Sequence, residues 1–150
     1  MISLQRVNNN NKDFLQLVSL LDEDLQVRYG EAQKQYHSFN VIEAEALIIV
    51  AYLDLIPVGC GCYKKYDKDT AEIKRVYVKP EFRGNGIATA ILSELEKLAS
   101  EDHFKYCILE TGRKQHESIS LYGKSGYNLI ENYGPYFDNQ NSICMSKRLK

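Results

Sequence analysis

Arg83, Gly84, Asn85, Gly86, Ile87 and Ala88 form the stretch in which residue type and spacing could do chemistry. The β-branched run that halts at Pro80 reads as a strand, and the 3.6-residue apolar period after Gly86 reads as a helix, so these residues lie where a strand hands over to a helix N-terminus. The first N–H groups of a helix lack intrahelical partners, and aligned peptide dipoles place about half a positive charge there. Gly84 and Gly86 carry no Cβ to block a ligand and adopt positive φ freely. Arg83 adds a planar, permanently charged fork. Such a set suits a pyrophosphate. The same residues also suit a plain turn, because Asn-Gly is a common turn pair. Two better-known phosphate motifs do not fit: the dinucleotide fingerprint needs a glycine where Thr89 stands, and Gly123-Lys124-Ser125 has Ser118 where a Walker loop needs its first glycine.

The elements that must position this stretch follow from periodicity. Residues 2–7 alternate apolar and polar and read as a strand, and after a polar break Asn11 or Asp13 is placed to cap a helix carrying Phe14, Leu17, Val18, Leu21 and Leu25. Gly30 interrupts, and a second helical piece is read near 31–36. Strands over 46–53, 58–66 and 70–79, joined by turns at Asp54 and near 66–69, make an antiparallel meander that leads into the glycine turn. Period two along the last of these puts Glu72 on the face of Val76 and Val78. A helix over 86–100 has Ile87, Ile91, Leu92 and Leu95 on one stripe. The apolar run 105–110 then closes a right-handed crossover with a parallel strand pair, whose carboxyl ends are where ligands collect. A short helix over 115–125 ends at Gly126. Strands over 127–130 and 142–149 finish the chain, joined through Asn132, Tyr133, Gly134, Pro135 and Tyr136.

The chain of 150 residues is expected to form one domain over 1–150, long enough to bury roughly 70% of its unfolded surface. A net charge of -1 gives no general attraction to nucleic acid or to acidic membranes. No apolar run is long enough to span a bilayer and the amino terminus is too polar for a signal peptide, so a cytoplasmic location is expected. The 4 cysteines are read as reduced and buried, Cys60 and Cys62 sharing one strand face. They lack the spacing of a metal site, and no metal is expected.

Arg83, Gly86 and Ala88, as R-x-x-G-x-A after V-Y-V-K-P and before an apolar helix, resemble motif A of the GNAT superfamily of N-acetyltransferases. Ser118 to Tyr127, read S-I-S-L-Y-G-K-S-G-Y, looks like that family's motif B, whose tyrosine falls at Tyr122. The resemblance spans about residues 70–127. It implies an α/β fold in which a mostly antiparallel mixed sheet, with helices on both faces, splays between its fourth and fifth strands to admit acetyl-CoA. The pantetheine arm would run along Val76 and Val78, and the pyrophosphate would meet the amides of Arg83, Gly84, Asn85, Gly86, Ile87 and Ala88.

The implied chemistry is direct attack of a neutral amine on a thioester, which needs a base, a donor for the developing oxyanion and an acid for the departing thiolate. By family position Tyr122 is the acid and the Val76 N–H the oxyanion donor. Glu72 is the base through water, with Glu110 and His116 in reserve. Many family members carry an asparagine after the fifth strand, whereas this chain has Thr111-Gly112-Arg113-Lys114-Gln115; that contact is left unassigned, with Lys114 and Ser118 as candidates to replace it. Arg28 and Tyr29, with Tyr133 and Tyr136, are the expected acceptor contacts, and Asp22, Glu23 and Asp24 are placed to hold an ammonium.

The activity expected is therefore acetyl transfer from acetyl-CoA to a small amine, an amino acid or polyamine-like compound, with a homodimer allowed for. Acetylation of a protein lysine or amino terminus is the alternative within enzymes. A non-catalytic CoA-binding regulatory module and an unrelated nucleotide binder are the alternatives of other classes.

Overall fold

A computed structural model describes residues 1–30 and 46–150, and the expected helical piece near 31–36 lies outside the described residues. Strand β1 (Ile2–Val7) is followed by helix α1 (Lys12–Tyr29), which starts where the Asn11 side chain accepts from the Phe14 N–H at 2.9 Å. Strands β2 (Leu47–Leu53), β3 (Ile56–Asp67) and β4 (Thr70–Val78) form the meander. After a single 3₁₀ turn at Pro80–Phe82 come helix α2 (Ile87–Glu101), strand β5 (Tyr106–Gly112) and helix α3 (His116–Lys124). Strands β6 (Asn128–Ile130) and β7 (Ser142–Arg148) complete the described elements.

The strands join in one sheet of order β1-β2-β3-β4-β5-β7-β6, in which β4 and β5 are parallel and the other neighbours antiparallel. Helix α2 covers one face with Ile87, Ile91, Leu92 and Leu95 over Ile49, Val58, Ile73 and Leu109. Each large apolar side chain buried there contributes roughly 1.5–3 kcal/mol. The helix lies so close to β3 that a Cβ at Gly61 would stand 2.9 Å from Ile91 Cγ2, which is why small residues occupy this strand. Helix α1 covers the other face with Phe14, Leu17 and Leu21, against Cys60, Cys62 and Tyr77. Among the described residues no helix is long and apolar enough to cross a membrane.

Strand β4 departs from simple alternation. Its register with β3 steps from Lys74 opposite Cys62 to Tyr77 opposite Cys60, three residues against two, and Arg75 at the slip has φ 59°. This is a β-bulge, and it exchanges the faces of the strand beyond it. Ala71, Ile73, Val76 and Val78 belong to the α2 side, and Tyr77 to the α1 side. The period-two expectation that put Glu72 with Val76 and Val78 is therefore corrected: Glu72 follows the strand's parity before the slip and lies on the opposite face. The bulge also strands backbone carbonyls, which the Cys60 and Cys62 thiols cap by donating to the Arg75 and Lys74 carbonyls at 3.3 Å each.

The parallel pairing of β4 with β5 runs from Thr70 opposite Tyr106 to Ile73 opposite Leu109 and stops there. Beyond it β4 pairs with β3, and β5 with β7, so the two halves of the sheet part at their carboxyl ends. The split opens beside the start of α2.

Candidate active site

The site is built on the chain reversal before α2. Gly84 and Gly86 have φ of 82° and 78°, conformations that a residue with a Cβ rarely adopts, and a Cβ at either would meet nothing within 4 Å. The space in front of both is open. The Asn85 side chain closes the turn by donating to the Phe82 carbonyl at 3.0 Å, and the Ala90 N–H donates to the Gly86 carbonyl at 3.0 Å as the ladder begins. The N–H groups of Ile87, Ala88 and Thr89 precede that ladder and lack intrahelical partners. Arg83 turns back on the strand, where its Nε donates to the Val78 carbonyl at 2.8 Å and its guanidinium stands over the Tyr77 ring. Its side chain thus ties the loop to the end of β4, and the Val78 carbonyl already has one donor.

A cleft runs from this turn into the split. Its outer part is lined by Val76, Val78, Phe82, Gly84, Gly86, Ile87, Ala88, Ser118 and Tyr122. Its inner part is lined by Ile73, Lys74, Val76, Glu110, Thr111 and Tyr122. Val76, Tyr122, Gln115, Ser118 and Leu21 line both, so the parts are continuous. Open backbone donors at one end and an apolar slot between parted strands suit a ligand that carries a diphosphate on a long, thin arm.

Tyr122 is 7% exposed and packs edge-on against Tyr127, and burial, with the nearby Glu110 carboxylate, pushes its phenol well above the usual tyrosine range. It keeps its proton at neutral pH, as an acid must. Burial pushes the Glu110 carboxyl up to about 7, against the lowering effects of a 2.7 Å hydrogen bond from Ser142 Oγ and of Lys74. A carboxyl poised there exchanges a proton readily at neutral pH. Lys74 stands in the field of Glu72 and Glu110, and its own burial pulls its ammonium below the usual lysine range.

Glu72 is 5% exposed and accepts a 2.8 Å hydrogen bond from the Tyr133 hydroxyl. Tyr133 meets Tyr66 and Tyr136 edge-on, and Tyr136 is buried against Cys144, so the two expected acceptor tyrosines are packed side chains, and Tyr133 covers Glu72. Arg28 bonds to Glu117 and Asp24 and thereby joins the end of α1 to the start of α3; the Tyr29 side chain lies outside the described residues. Asp22 pairs with Arg75 at 2.6 Å. Lys114 reaches the Arg28 carbonyl at 3.5 Å, whereas Ser118 lines the cleft. Gln115, which the sequence reading passed over as a functional residue, lines the cleft too, and its side chain accepts from the Gly112 N–H at 2.9 Å to fix the end of β5.

Compared with known proteins, the chain matches the model of the acetyltransferase (GNAT) family over residues 14–127. It is 30% identical over 137 residues to an IAA acetyltransferase of Azospirillum brasilense, covering 90% of each chain. A solved chain from Klebsiella pneumoniae, described as an acyl-CoA N-acyltransferase, superposes with a TM-score of 0.85 at 26% identity, over 100% of this chain and 99% of that one. PaiA N-acetyltransferase from Thermoplasma acidophilum, solved with coenzyme A, shares the fold with a TM-score of 0.75 at 20% identity, over 99% of each chain.

Proposed function

The chain belongs to the acetyltransferase (GNAT) family and is an acyltransferase; from that premise we propose that it moves an acetyl group from acetyl-CoA to the amine of a small molecule, an amino acid or polyamine-like compound. The observation that carries this reading is the unbroken lining from the amides at the start of α2, past Val76, to Tyr122 and Glu110.

Acetyl-CoA supplies an acyl carbon activated by its thioester. The turn from Arg83 to Ala88 holds the diphosphate through backbone amides, with Arg83 fixing the loop to β4. The Val76 N–H, one residue past the bulge at Arg75, is assigned as donor to the acyl oxygen as it gains charge. Tyr122 gives its proton to the leaving sulfur, and Glu110 accepts a proton from the acceptor ammonium. Glu110 takes this role in place of Glu72, which Tyr133 covers. A small acceptor is favoured by the bridge of Arg28 to Glu117, which holds the end of α1 against the Glu117 that lines the cleft.

Thiol release from acetyl-CoA across amino acids, polyamines, aminoglycosides and lysine peptides tests the proposal. Release with a small amine and not with peptides is expected. Release with peptides alone would refute the small acceptor, and none with any amine would refute turnover.

A further inference from the structure

We infer that Lys74 is itself an acetyl acceptor, its ε-nitrogen taking the acetyl group when no external amine fills the split; this rests on the reading of the split as the acetyl-CoA site. Lys74 lies on the last ladder position of β4 before the bulge. It lines the inner cleft together with Val76, Glu110 and Tyr122, the residues assigned to the acyl oxygen, the incoming proton and the leaving sulfur. Its amine stands among the carboxylates of Glu72 and Glu110, where an acceptor ammonium would come to lose its proton. Burial favours the neutral form of that amine, which is the nucleophilic one. Lys97 and Lys124, by contrast, are exposed on the helices away from the cleft.

The step balances. The Lys74 nitrogen forms an amide bond to the acyl carbon as the carbon–sulfur bond breaks, and two protons leave the nitrogen. One goes to Glu110 and on to solvent. The other replaces the proton that Tyr122 has given to the thiolate. Acetylation removes the positive charge that holds the Glu110 carboxyl down, so Glu110 stays protonated to higher pH and less of it is ionised to act as base at neutral pH. Self-acetylation would then slow transfer to other amines.

The test is peptide mass mapping of the full chain after incubation with acetyl-CoA and no acceptor, alongside direct measurement of acetyl-CoA binding. Acetylation of Lys74 at least ~10-fold faster than that of Lys97 is expected from its placement beside the bound thioester, with loss of that mark in Lys74→Arg and slowing in Tyr122→Phe. A second readout needs no turnover: trace acetic anhydride should label Lys74 in the ligand-free protein, and CoA should protect Lys74 but not Lys97. Tight acetyl-CoA binding with Lys74 marked no faster than Lys97, or no protection by CoA, overturns the inference and leaves the proposed function standing. Failure to bind acetyl-CoA overturns both.

Discussion

Arg75 reaches Asp22 at 2.6 Å from a backbone position with φ 59°, so the ion pair between β4 and α1 is anchored on the residue that interrupts the strand. Its guanidinium is 6% exposed, and a charge in that position needs its partner.

Asp22→Asn should therefore cost roughly 1–3 kcal/mol, the penalty for weakening a partly buried charged contact, read as a lower denaturation midpoint. On the role proposed for the Val76 N–H, which adjoins the bulge, kcat should fall more than KM rises. An unchanged kcat in a folded variant would separate the bulge from catalysis.

Glu110 makes two pH effects predictable. As the base it works ionised, so the rate should rise with pH through about 7, and Glu110→Gln should flatten that rise and cost about 10²-fold in kcat. The stability effect has the opposite sign. A carboxyl raised from 4.5 to about 7 on folding holds more protons in the folded state, so its contribution to stability falls as pH rises across that interval. Denaturation midpoints of the parent and of Glu110→Gln between pH 4 and 8 check this: the variant should gain relative stability at the alkaline end.

Tyr133→Phe separates Glu72 as support from Glu72 as base. Removing the hydroxyl leaves a carboxylate that is 5% exposed without that donor and should cost about 1–3 kcal/mol. Acetyl transfer at saturating substrate should stay within a factor of about three of the parent, since only the cover over Glu72 has changed. A steep loss of rate without loss of stability would return the base role to Glu72.

Local rules carried much of the fold. Asn11 caps as its side chain demands, Gly86 opens α2 from positive φ, and the strand and helix periods match the elements to within a residue or two. The glycine turn was read from backbone geometry at a helix start and Tyr122 from the motif resemblance, and the folded chain puts both on the lining of one cleft. Glu72 was misplaced because alternation was carried straight through β4. The slip is written in the sequence all the same: the buried apolar positions run Ala71, Ile73, then Val76 and Val78, a step of three across Lys74 and Arg75. Glu110 could not be ranked above Glu72 from sequence, since its raised carboxyl comes from burial in the folded chain, which outweighs the opposing hydrogen bond from Ser142, 32 residues later. The engagement of Arg28 with Glu117 likewise joins residues that only the folded chain brings together.

Gly86→Val tests the turn. A Cβ at this position meets no protein atom within 4 Å, so the harm expected comes from the strained φ and from crowding the ligand. CoA affinity should fall by at least about tenfold, in line with 1–3 kcal/mol for such backbone strain. Gly123→Ala, also in open space but inside α3, should instead leave affinity alone and stabilise by about 0.5–1 kcal/mol. Isothermal titration of both variants with CoA makes the comparison.

The most direct measurement is the single-turnover rate of thiol release in Tyr122→Phe beside its Kd for CoA. The account predicts a rate about 10²-fold lower with Kd within about threefold of the parent, because the phenol acts on the departing sulfur and adds little to ground-state binding. A variant that releases thiol as fast as the parent would contradict it.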